Sequence, residues 1–135
     1  MHQPSATFEE HIEILSIESP CALILEWGRR LELAVKNFGR VLGVSKGPWK
    51  NYLAALLNDP LAGEEVASQI KCLRCRRNEV AHDPPKSIAP DEAIQFARKA
   101  EEIVWFLGRT ENVKLGQAFE LGSDHPVWAR VPKHS

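Results

Sequence analysis

The residues of this chain best suited to chemistry fall together in Arg77-Asn78-Glu79-Val80-Ala81-His82. Arginine stays cationic at any physiological pH and presents a planar fork of donors that can hold a phosphate. Histidine is the side chain that exchanges a proton near neutral pH. The surroundings are cationic as well: no acidic residue occurs between Val66 and Asn78, whereas Lys71, Arg74, Arg76 and Arg77 all do. The plain alternative is a solvated basic face balanced by acidic neighbours such as Glu64, Glu65 or Glu26.

The spacing around Arg77 argues for more than a surface charge. Val66, Ile70, Leu73, Arg77 and Val80 recur at steps of four and three, so an arginine stands where the pattern of a helix calls for an apolar residue. A guanidinium in that position must reach solvent, pair with a carboxylate, or face a ligand or a subunit boundary, because burying it unpaired is costly. His82 ends the same helix just before Asp83-Pro84-Pro85, where the macrodipole favours a cation. On a regular helix Asn78 lies about 40° from His82, whereas Arg77 lies about 140° away and about 7.5 Å down the axis. One phosphate held by both Arg77 and His82 therefore needs either a curled arginine or a second copy of the helix, as a symmetric dimer supplies.

The elements that must position these residues are helical throughout most of the chain. Thr7 with Glu10 reads as a capping box ahead of Ile12, Leu15 and Ile17. Ser19-Pro20 reads as an N-cap and first helical residue, followed by Leu23, Trp27, Leu31, Ala34, Val35, Phe38, Val41 and Leu42 at helical spacing up to Gly43. A short third helix carries Trp49, Leu53, Leu56 and Leu57 and stops at Asn58-Asp59-Pro60. The fourth runs from about Ala62 to His82, and a fifth starts near Pro90 with Ala93, Phe96, Ala97, Ala100, Ile103, Val104 and Leu107 on one face. These readings predict an all-α fold, an antiparallel helical bundle of about five helices over residues 1–110. Beyond it, Val113, Leu115, Phe119 and Leu121 sit at period two, with a turn at Gly122-Ser123-Asp124 and an apolar run from Val127 to Val131. That pattern predicts a C-terminal extension over 111–135, extended or a hairpin, packed on the bundle or on a partner subunit.

Composition narrows the partners. With 17 Lys and Arg against 18 Asp and Glu the net charge is −1, which excludes a protein that coats nucleic acid with a basic face, so any such contact is local. Cys21, Cys72 and Cys75 are an odd number and two lie within a helix, which points to reduced thiols and a cytoplasmic location. Cys72-x2-Cys75 lacks the further ligands of a zinc site, and neither a metal nor a cofactor is expected. No apolar run approaches the roughly 18 residues of a membrane helix, and the N-terminus has no export signal. Trp27, Trp49 and Trp105 fit apolar stripes and read as core, leaving Trp128 in the tail, while His2, His11, His125 and His134 have no partner in sequence.

Arg77-Asn78-Glu79-Val80-Ala81-His82 resembles the R-x4-6-H motif of HEPN domains, including the polar residue that commonly follows the arginine. Its position late in a helix of a small bundle is similar too, and the resemblance covers roughly Thr7 to Arg109 by helix order. It implies a homodimer whose fourth helices face each other and form a cleft that cuts RNA without a metal. In that cleft His82 is the general acid or base, Arg77 stabilises the phosphate and Asn78 positions one of them, with Lys71 and Arg74 as contacts to the RNA backbone. The implied products are a 2′,3′-cyclic phosphate and a 5′-hydroxyl. The setting would be a toxin, antiviral defence or RNA processing, with an antitoxin or regulatory protein as a further partner. HEPN toxins often carry a tyrosine two positions after the histidine, where this chain has Pro84, so control by modification of that tyrosine is not expected. The rival expectation is a non-catalytic HEPN-like module that dimerises or binds a nucleotide or partner protein.

Overall fold

A computed structural model describes residues 6–82 and 87–121, with the side chains of 7–82 and 87–116. These form α1 (Ala6–Glu18), α2 (Pro20–Val41), α3 (Trp49–Leu57), α4 (Gly63–His82) and α5 (Pro90–Leu121), and no strand occurs among the described residues. The fold is an all-α bundle. No helix among the described residues is long and apolar enough to cross a membrane.

The long helices α2 and α5 make the main packing face; α1 covers both at one side, and α4 lies against α2, α3 and α5. Local chemistry starts and stops the helices much as their end residues dictate. The Ser19 hydroxyl accepts the N–H of Ala22 at 3.3 Å, and Pro20 occupies the first turn of α2. Gly43 follows with a positive φ of 102°, a conformation that ends helices cheaply only in glycine. The core runs from Phe8 and Ile12 through Leu23, Leu31, Val35 and Phe38 to Phe96, Ile103 and Leu107. Phe8 meets the Trp27 ring edge to face, at 5.1 Å and 89°.

Five expectations are corrected. Helix α1 already includes Ala6, so Thr7 lies inside its first turn and does not cap it. Its buried face is Phe8, Ile12 and Ser16, a four-residue step, which turns Ile14 and Ile17 outward, Ile17 at 75% exposure. In α3, Tyr52 and Leu56 fill the core and Leu57 faces out, while Trp105 of α5 is a surface residue with the Arg109 guanidinium 5.4 Å over its ring. The largest change concerns residues 111–121: α5 continues unbroken to Leu121, and the period-two pattern does not produce a strand. The turn and apolar run from Gly122 to Val131 lie outside the described residues, as do His2, Pro84, His125, Trp128 and His134.

The reason α5 continues is a polar one. Its inward row proceeds through Ile103 and Leu107 to Thr110 and Lys114, keeping helical spacing while losing hydrophobicity. Lys114 Nζ reaches Asp59 Oδ1 at 2.6 Å, with side chains 16% and 2% exposed. The other carboxylate oxygen of Asp59 accepts the N–H groups of Leu61 and Ala62 at 3.0 and 2.9 Å, closing the turn that launches α4. Asp59 thus joins the end of α3, the start of α4 and the last turns of α5. Replacing Asp59 with Ala should lower unfolding free energy by about 3 kcal/mol, since it strands a largely buried ammonium and two turn donors. Urea denaturation of the single variants and the Asp59→Ala/Lys114→Met pair should show losses well short of additive; full additivity would separate the two residues.

Candidate functional site

The site is built from the last three turns of α4 and the flank of α2. Ile70 and Val80 are buried and Leu73 is half-buried on the face that meets the core, and Arg77 takes the place between them that the apolar stripe assigns it. It fits because α2 presents Gly28 there. A Cβ at position 28 would collide with Cγ of Arg77 and press on its Cβ, so the missing side chain is what lets the arginine stem lie flat on α2. Glu32 of α2 lies near Arg74, so a step up α2 from 28 to 32 corresponds to a step down α4 from 77 to 74: the two helices run antiparallel.

The three arginines of this stretch meet different fates. Arg76 is clamped by Glu92 of α5, Nε to Oε2 at 2.5 Å and Nη2 to Oε1 at 3.0 Å, with Glu79 at 3.8 Å. The hydrogen bond to Glu92 raises its already high pKa further. Arg74 stacks 4.4 Å over the Trp49 ring and has Glu32 Oε2 3.9 Å from its Nε, so its charge has a carboxylate and a ring face nearby although that Nε, like the one of Arg77, is buried without a hydrogen bond. Arg77 has no carboxylate partner among the described residues: Nε is buried without a hydrogen bond, and Nη1 donates to Asn78 Oδ1 at 3.3 Å. The acids that balance α4 are therefore Glu92, Glu32 and Glu79, and not Glu64, Glu65 or Glu26; Glu26 instead accepts from His11 at 2.8 Å, which lowers its pKa.

The remaining candidates divide along the helix. Asn78 is half-buried and joined to Arg77, which turns its guanidinium toward the flank that Asn78 occupies. His82, one turn beyond Asn78, is exposed at the end of α4. Lys71 is exposed about 16 Å back along the axis, lining a groove between α3 and α4. The structure thus brings Arg77 and Asn78 together, sets His82 on the same flank as Asn78, and assigns Arg74 to a stack. Cys72 and Cys75 are exposed on α4 and Cys21 is half-buried on α2, all as free thiols. Among the described residues no three His, Cys, Asp or Glu side chains are grouped to hold a metal.

Gly28, Glu92 and Lys50, the last lining the α3/α4 groove with Lys71, take part in this region without having been singled out by spacing. Gly28 carried one signal, since a glycine inside a strongly periodic helix costs about 1 kcal/mol against alanine and asks for a packing reason. No family model, curated protein or solved structure matches the chain.

The Gly28–Arg77 contact predicts a reversal of sign. Gly28→Ala should destabilise the wild-type chain by about 1–2 kcal/mol through overpacking. In an Arg77→Ala background the same change should stabilise by up to about 1 kcal/mol, because only the helix-propensity gain remains. Thermal or urea unfolding of the four proteins measures both, and an equal effect in the two backgrounds would remove Arg77 as the reason for Gly28.

Proposed function

We propose that the protein is a homodimeric, metal-independent endoribonuclease of HEPN type, with its cleft formed where the C-terminal halves of two α4 helices meet. The observation that carries this reading is Arg77: a half-buried arginine without a carboxylate among the described residues, hydrogen-bonded to Asn78, which itself lies one turn from the exposed His82. A cation held in that state has an unmet demand for an anion, which a phosphate satisfies. The resemblance of Arg77 to His82 to the R-x4-6-H motif supplies the reaction class.

In the proposed reaction one His82 imidazole takes the proton of a ribose 2′-hydroxyl as its oxygen attacks phosphorus. The bond to the 5′-oxygen breaks, and that oxygen takes a proton from an imidazolium, which leaves a 2′,3′-cyclic phosphate and a 5′-hydroxyl. Arg77 faces the charge that accumulates on the non-bridging oxygens, and Asn78 holds the guanidinium on the flank it shares with His82. Because Arg77 and His82 start about 140° apart on one helix, a second copy of α4 brings an arginine and a histidine to the same phosphate more directly than one copy does. Such an activity needs restraint inside a cell, the role of the antitoxin or regulatory protein that the resemblance implies.

One feature favours a second reading, the non-catalytic module: the stem of Arg77 is a packing element against Gly28 and has a structural use of its own. The test must therefore keep the stem. Incubated with unstructured RNA in EDTA, the wild-type protein should cut, and His82→Ala and Arg77→Met should each reduce the rate by about 10²-fold or more. Products should end in a cyclic phosphate. A folded wild type with no cleavage, or cleavage indifferent to both changes, sinks the nuclease and leaves the module. Separately, light scattering at micromolar concentration should return twice the mass of the chain; a monomer still able to cut would refute the shared cleft.

A further inference from the structure

Lys50 and Lys71 are 21 positions apart in sequence, yet both line one groove between α3 and α4 of about 320 Å³, at the small end of ligand-sized clefts. Its apolar lining comes from Leu53, Ala54, Leu57 and Ala67, with Ser68 and Glu64 beside them. Neither lysine pairs with a carboxylate among the described residues, although Glu64 shares the groove. Another groove, between α2 and α5, contains a cation already spoken for: Arg30 stacks 4.8 Å over Trp27 and lies 3.6 Å from Glu26.

Position links this groove to the candidate site. Arg77, Arg74 and Lys71 are each three residues apart, so they form one inclined row on α4, rising about 4.5 Å and turning about 60° per step. The row starts against α2, passes the Arg74–Trp49 stack and ends at the groove, about 9 Å along the axis from Arg77. Lys50 extends it across to α3. A cationic row ending in an apolar slot flanked by two uncommitted ammonium groups has the chemistry of a single-stranded nucleic-acid track: phosphates along the row, a base face on the apolar lining.

Resting on the ribonuclease reading, we propose that the α3/α4 groove binds one nucleotide of a single-stranded RNA whose cut phosphate lies at Arg77, with Lys50 and Lys71 on the flanking phosphates and Glu64 accepting from the exocyclic amino group of the base. Carboxylates accept from such amino groups, so the groove prefers cytosine to uracil.

The test uses the full-length His82→Ala protein, which leaves RNA intact, and fluorescence anisotropy with labelled rC8 and rU8 in EDTA. Lys50→Ala with Lys71→Ala should weaken rC8 binding roughly tenfold or more at 0.1 M salt and lower the slope of log K against log salt by about 1.4, at about 0.7 per lost phosphate contact. Lys99→Ala, exposed on α5 and outside the groove, should change neither. Tighter binding of rC8 than rU8 should disappear in Glu64→Ala. All the changed side chains are exposed, and circular dichroism checks that each variant folds. An unchanged affinity and salt slope in the double lysine variant overturns the subsite, and equal binding of rC8 and rU8 overturns the role of Glu64. Loss of the dimer in the lysine variant, read by light scattering, overturns the proposal in favour of a protein interface. If the wild type does not cut RNA but the lysines still govern affinity, the subsite stands and the nuclease reading falls.

Discussion

Where α4 crosses α2, the Cβ and Cγ of Arg77 lie against a helix backbone that has no side chain in the way, and this single close approach governs much of what surrounds it. It holds the two helices near enough for Ile70 and Val80 to stay buried on either side of a charged residue. It also commits the arginine stem while leaving its head unpaired by any described acid, because the space that accepts the stem offers no carboxylate to the guanidinium. A second notch on the same helix, Gly39, receives the ring of Tyr52 from α3 in the same manner. Helix α2 is thus shaped by absences at two points, each filled by a large side chain from a neighbour.

Charge on α4 is distributed by distance from acids on other helices, and this is what gives neighbouring arginines distinct roles. Arg76 is spent on Glu92 and locks α4 to α5; Arg74 is divided between Trp49 and Glu32 and locks α4 to α3 and α2. The Arg77–Asn78 hydrogen bond thus sits on a helix tied through neighbouring arginines to α2, α3 and α5.

Helix positions were legible in the chain wherever inward residues are apolar. Ser19-Pro20, the stripe from Leu23 to Val41, and Ala93 to Leu107 each announce a helix and its buried face, and the structure follows them closely. Legibility failed beyond Leu107 because the inward row turns polar at Thr110 and Lys114, and only Asp59, 55 positions earlier, explains why a lysine belongs inside. It failed at Ile17 and Trp105 for the opposite reason: apolar residues near a stripe look like core, and only the packed fold leaves these two exposed.

The candidate site divides along the same line. Sequence alone determined that Arg77 interrupts an apolar stripe, that Asn78 and His82 share a helix flank, and that Arg77 does not share it, because helical periodicity is a local property of the backbone. Tertiary structure alone decided that Gly28 makes room for Arg77, that Glu92 and Glu32 claim Arg76 and Arg74, and that Lys50 comes to stand beside Lys71. Those outcomes depend on how helices distant in sequence approach one another, and ion pairing and close packing act only between groups that the fold has already brought within a few ångströms.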